Sequence, residues 1–154
     1  MKPGDLAPDF TLRDHEGRSV TLSVELERGP VVLFFYPAAL TRGCTKESCH
    51  FRDLASEFEH RGAQRLGISM DSQERQHLFA TTYSLDYPLL VDEGGMVARD
   101  YDVKRSVDLL KVKRTTFVIA SDRRVLEVIA SEFSMDVHAD RALQVLDSMK
   151  GPRP

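Results

Sequence analysis

The chain has 154 residues, 42% of them hydrophobic and 29% charged, with a formal net charge of −3. This is the length of about one domain and the average composition of a globular one, so a single domain over residues 1–154 is expected, with 151–154 as a frayed tail. The slight negative charge excludes the basic surface of a nucleic-acid binder, and the two cysteines are too few for a disulfide scaffold.

The N-terminal Met1-Lys2-Pro3-Gly4-Asp5 carries charge but no apolar stretch of the kind a signal peptide requires. The longest apolar run, Val31 to Tyr36, falls far short of the roughly 20 residues that span a bilayer as a helix. No membrane association is expected, and the default compartment is the cytosol, where thiols are kept reduced. Two cysteines there are reactive or incidental rather than structural.

In chain order, Asp9 to Leu12 and Ser19 to Leu22 flank the turn Asp14-His15-Glu16-Gly17 and read as a hairpin. Val31 to Tyr36 is β-branched and aromatic without alternation, the pattern of a central strand buried on both faces. Pro37 ends it, and a helix is expected from near Cys44 to about His60. Residues 64–69 read as a second strand, although Gly67 weakens it. Ser72 is a cap for a helix through Thr82. Residues 87–91 form a short strand, 92–95 a turn, and Met96 to Tyr101 a short helix. Residues 115–119 and 125–129 pair across the turn 121–124, and Asp136 to Met149 makes the last helix. Strands alternate with helices in the middle and hairpins sit at both ends, which predicts an α/β architecture with a mixed sheet.

The segment after Pro37 carries the chemistry. On a helix, Phe51, Leu54, Ala55 and Phe58 share the i, i+3, i+4, i+7 stripe of a buried face. Cys44 falls on the same stripe at the helix start, whereas Cys49 points almost opposite. Unpaired backbone N–H groups and the partial positive charge at a helix N-terminus both favour a thiolate. Residues i and i+5 of a helix have Cα atoms about 8.7 Å apart, and a disulfide needs less than about 7 Å. A Cys44–Cys49 bond therefore requires the helix start to unwind. The plainer readings stay open: Cys44 as a small buried hydrophobe, Cys49 as an exposed bystander.

Phe35-Tyr36-Pro37, then Thr41-Arg42-Gly43-Cys44-Thr45-Lys46-Glu47-Ser48-Cys49, resembles the peroxiredoxins, and in particular the bacterioferritin-comigratory-protein or peroxiredoxin Q subfamily. The resemblance extends from Gly4-Asp5 and Ala7-Pro8-Asp9-Phe10 through Gly67-Ile68-Ser69 to Arg114-Thr115-Thr116-Phe117-Val118-Ile119. It implies a thioredoxin-like fold with an N-terminal β-hairpin and a central mixed sheet flanked by helices. It also implies that Cys44 is the peroxidatic and Cys49 the resolving cysteine, with Thr41 the active-site hydroxyl, Pro37 the shield of the thiolate and Arg114 the active-site arginine. Arg42 stands where proline is usual and is expected to tune the site without abolishing it. Read from the residues alone, Arg114 is the end of a solvated basic stretch with Lys111 and Lys113. Glu47 is a partner of the helix dipole, and the family pattern adds a role in the active-site hydrogen bonds.

Other constellations carry less. Cys44, Cys49, His50 and His60 match no zinc spacing, Glu93-Gly94-Gly95 is an ordinary turn, and His138 lies in an apparent loop with no partner in sequence. Leu109-Leu110 reads as core packing or a partner surface. The expected activity is thiol-dependent reduction of hydrogen peroxide or small alkyl hydroperoxides, without metal or organic cofactor. A Cys44–Cys49 disulfide would be re-reduced by thioredoxin or a similar dithiol. A cysteine pair within one chain needs no second subunit, so a monomer is favoured and a dimer allowed. The alternative is a peroxide-sensing redox switch or binding module on the same fold with little turnover. A dithiol–disulfide oxidoreductase is disfavoured, because that chemistry uses Cys-x-x-Cys.

Overall fold

The computed structural model describes residues 1–105 and 111–149. Leu109-Leu110 and the tail 151–154 lie outside them. The strands are β1 (Thr11–Arg13), β2 (Ser19–Thr21), β3 (Val31–Phe35), β4 (Gln64–Ser69), β5 (Leu89–Val91), β6 (Thr115–Ile119) and β7 (Val125–Ala130). The helices are α1 (Leu22–Glu25, continued by a 3-10 turn over Leu26–Arg28), α2 (Arg42–Asp53), α3 (Ala55–His60), α4 (Gln73–Thr82), α5 (Met96–Asp100) and α6 (Asp136–Met149). β1 and β2 form the antiparallel hairpin. The other five strands make one sheet in the order β5-β4-β3-β6-β7, parallel from β5 to β3 and antiparallel from β3 to β7. The expected mixed α/β sheet with its N-terminal hairpin is thus present.

β3 explains why the sheet has two cores. Successive side chains of a strand point to opposite faces. Val31, Leu33 and Phe35 pack with Ala7, Leu22, Tyr101 and Phe117 on one side. Val32, Phe34 and Tyr36 pack with Cys44, Phe51, Phe58, Phe79 and Leu146 on the other. All of these side chains are buried, so β3 has no polar face to spare, as its unbroken apolar run requires. The cysteine-bearing helix lies on the second face, where Phe51 stacks on Phe34 with ring centroids 4.1 Å apart.

Two local expectations are corrected. The cysteine helix begins at Arg42, before Cys44, and it is interrupted at Leu54, whose φ of −96° and ψ of 19° leave the helical region. α2 and α3 are therefore separate, and of the anticipated stripe Phe51 and Phe58 are buried while Leu54 and Ala55 are only half-buried. His138 lies inside α6, buried, and not in a loop. Its neighbours on the buried face are Ala139, Ala142, Val145 and Leu146, an amphipathic stripe on which the histidine occupies a core position.

Candidate active site

Three structural decisions place Cys44. β3 delivers the chain to Pro37, which is buried. The turn that follows is held at Ala39, whose N–H donates to Asp71 Oδ2 at 2.7 Å and whose carbonyl accepts from Arg75 Nη2 at 2.9 Å. Leu40 then takes a left-handed φ of 67°, a conformation costly for a residue with a Cβ and paid for by these anchors. Thr41 is the N-cap of α2, so Cys44 sits in the helix's first turn, fully buried at its N-terminus.

The Thr41 hydroxyl does not cap the helix with its side chain; it donates to the Ala38 carbonyl at 2.7 Å and so stiffens the turn in front of the sulfur. Arg42 is the first helical residue and is exposed. The N–H at that position has no intrahelical partner, so arginine and proline are both compatible with the helix start.

Arg114 reaches the same place from the start of β6. One arm of its guanidinium, Nη2, donates to Cys44 Sγ at 3.2 Å, and the other, Nη1, donates to Glu47 Oε1 at 2.8 Å. The planar fork binds sulfur and carboxylate at once, which a lysine's point charge would not do. Gly43 makes room for it: a Cβ there would lie 3.2 Å from Arg114 Nη2 and 3.4 Å from Met135 Sδ. Burial opposes the arginine's charge, but Glu47 and Cys44 more than offset it and hold Arg114 above the ordinary arginine value.

Glu47 is fully buried, and burial pushes its carboxyl up to about 8 despite the attraction of Arg114. Its second oxygen, Oε2, has no hydrogen-bond partner among the described residues and lies 3.5 Å from His138 Nδ1. That nitrogen is 2.8 Å from Thr116 Oγ1, and His138 Nε2 is 2.9 Å from the Ser131 carbonyl. Burial holds His138 below the usual imidazole value. Glu132 Oε1 accepts from the Arg114 backbone N–H at 3.0 Å and from Arg105 Nη2 at 3.2 Å, fixing the strand that presents the guanidinium.

Cys49 lies on the same helix, half-buried, and both cysteines are free thiols. Burial raises the Cys49 thiol. On either side of it, the α2 carbonyls of Ser48 and Phe51 are held from the sheet side by Tyr87 Oη at 2.7 Å and Arg65 Nη1 at 2.8 Å. Among the described residues, no three of His, Cys, Asp or Glu gather in a set that would hold a metal ion.

Of the residues singled out in the sequence, Arg114 meets Cys44 at the start of α2, Thr41 is that helix's N-cap, Pro37 lies buried four residues before the cap, and Cys49 lies farther along the helix. The plainer reading of Arg114 as part of a solvated stretch fails: it is 6% exposed. Lys111 and Lys113 are exposed while Val112 and Arg114 are buried, the alternation of an extended chain that the sequence displays but that charge alone obscures. Asp71, Arg75 and His138 were missed; for His138 the signal was its place on the apolar stripe of the last helix.

Residues 3–128 match the AhpC/TSA family. The crystal structure of peroxidoxin BcpB from Mycobacterium tuberculosis superposes with a TM-score of 0.93 at 58% identity, covering 97% of this chain and 98% of that one. Chloroplastic peroxiredoxin Q of Sedum lineare is 41% identical over 147 residues, 96% of this chain and 78% of that protein. A structure of Xanthomonas campestris peroxiredoxin Q superposes with a TM-score of 0.83 at 28% identity, covering 90% of each chain. On its sequence, its thioredoxin-like sheet and its cysteine-bearing helix, the chain belongs to the AhpC/TSA family and is a peroxiredoxin, a thiol peroxidase.

Proposed function

We propose that the protein reduces hydrogen peroxide and small alkyl hydroperoxides through Cys44, with Cys49 as the resolving thiol. The observation that carries this reading is the Arg114 fork, bonded to the Cys44 sulfur and to Glu47 within one buried site. The thiolate attacks one peroxide oxygen and the O–O bond breaks. Sulfur is oxidised to sulfenic acid, and the leaving alkoxide or hydroxide takes a proton to become alcohol or water. Arg114 and the free N–H groups of the α2 first turn are the donors for the negative charge that develops on oxygen. Thr41 and Pro37 shape the entrance. The start of α2 then unwinds, and the Cys49 thiol displaces hydroxide from the sulfenic sulfur, giving a disulfide and water. A thioredoxin-type dithiol attacks that disulfide, is itself oxidised, and leaves both cysteines reduced. Both thiols lie on one helix, so one chain carries the whole cycle, and a cytosolic dithiol pool suits its last step.

The test is intact mass after one equivalent of peroxide. The reduced wild type should lose two hydrogens, Cys44→Ser should stay unchanged, and Cys49→Ser should gain at least one oxygen. A wild type left reduced overturns the reading.

A further inference from the structure

The geometry points to His138 as a positioning residue: with Glu47 it holds one buried proton that the Cys44 thiol otherwise keeps, so that the histidine governs how readily the thiolate forms. This deepens the reading of Cys44 as the reacting thiol and rests on it.

The hydrogen bonds fix where that proton belongs. The Ser131 carbonyl only accepts, so His138 Nε2 carries a hydrogen at 2.9 Å from it. A neutral ring then leaves Nδ1 as an acceptor, filled by the Thr116 hydroxyl at 2.8 Å. Nδ1 also faces Glu47 Oε2 at 3.5 Å, and that oxygen has no hydrogen-bond partner among the described residues. With no proton between them, two acceptors confront each other in a site where Glu47 and His138 are both fully buried. A proton on either atom relieves this, while the Thr116 hydroxyl rotates aside. The raised carboxyl of Glu47 agrees with its presence at neutral pH.

Charge explains the link to sulfur. Arg114 supplies one positive charge to two neighbours, Cys44 and Glu47. When the Glu47–His138 pair holds the proton it is neutral overall, and the guanidinium is free to balance a thiolate. When the pair is deprotonated, thiolate and carboxylate compete for one cation in a buried site, and the thiol keeps its proton. The other charged groups facing the pair are Glu132, from the loop after β7, and Arg105, its partner at 3.2 Å. The thiol and the pair therefore titrate as one coupled system. Glu47 and His138 are 91 residues apart, brought together by the packing of α2 against α6.

The experiment is a thiolate absorbance titration of the full chain, in wild type, His138→Gln, Glu47→Gln and the double variant. Glutamine at 138 cannot take up a proton, so His138→Gln should move the midpoint upward by about one pH unit, the scale of a neighbouring charge. Glu47→Gln removes the competing anion, so adding His138→Gln to it should move the midpoint no further. An unchanged midpoint in His138→Gln, or the same shift with and without Glu47, overturns the proposal and leaves His138 as packing. If His138→Gln fails to fold, ring nitrogen resonances of His138 in Cys44→Ser decide instead. By reciprocity, losing the thiolate should lower the pH at which the pair releases its proton, and an identical titration overturns the coupling. Failure of the underlying peroxidase reading shows separately, as an unreacted wild type in the mass experiment.

Discussion

At the residue scale, the site depends on one planar cation meeting two acceptors. Arg114→Lys keeps the charge but cannot bond Cys44 Sγ and Glu47 Oε1 at once, so the second-order rate with hydrogen peroxide should fall about 100-fold, the cost of one lost donor to a developing oxyanion. Stopped-flow oxidation of the reduced protein measures it, and a rate within a few-fold of wild type would contradict the assigned role. Cys44 was legible because helix periodicity and a short motif coincide there. Arg114 was legible only through family resemblance, since two exposed lysines precede it. His138 was hidden because its partners, Glu47 and Thr116, are distant in sequence and only the fold joins them.

At the scale of elements, the strands β3 and β6 and the helix α6 occupy the segments their residues announce, because β-branched and aromatic runs and clear helical periodicity leave few alternatives. The break at Leu54 was not legible: nothing in the stripe of Phe51 and Phe58 signals that the helix stops between them. The short α1 likewise carries too little periodicity to be read. Gly67 looked like a weak point in β4 and is instead a packing requirement. A Cβ there would fall 2.8 Å from Leu89 Cδ2 and 3.0 Å from Phe34 Cζ. Phe34 is the ring on which Phe51 of the cysteine helix stacks, so the strain would reach the site. Gly67→Ala should cost about 1–3 kcal/mol by overpacking. Urea denaturation measures this, and a neutral or stabilising result would show that the sheet yields at this point.

At the scale of the whole molecule, burying Glu47 makes stability depend on pH. Its carboxyl lies near 4.5 when unfolded and about 8 in the fold. A group raised by folding contributes fully below its unfolded value, and that contribution declines as pH rises toward the folded one. His138 acts in the other direction: lowered from 6.5, it costs stability as pH falls below that value. Between about 6.5 and 8 the Glu47 effect stands alone of the two, so unfolding free energy should fall with rising pH in the wild type. The decline should be smaller in Glu47→Gln. Denaturant titrations at pH 6.5, 7.25 and 8 compare the slopes; equal slopes would mean that Glu47 ionises in the folded protein as it does in water.

The two sheet-side bonds to the Ser48 and Phe51 carbonyls tether the second half of the cysteine helix through its backbone, whereas its start is held by Arg114 through the side chains of Cys44 and Glu47. Rearrangement beginning at Cys44 meets the first tether just before Cys49, so the chain that must be reshaped is about one turn long. If Cys44 and Cys49 join as proposed, a rearrangement of so short a span would leave the sheet and most of the aromatic core as they are. On that reading the fold would confine chemical turnover to a single turn of helix, and each reduction would have only that turn to rebuild.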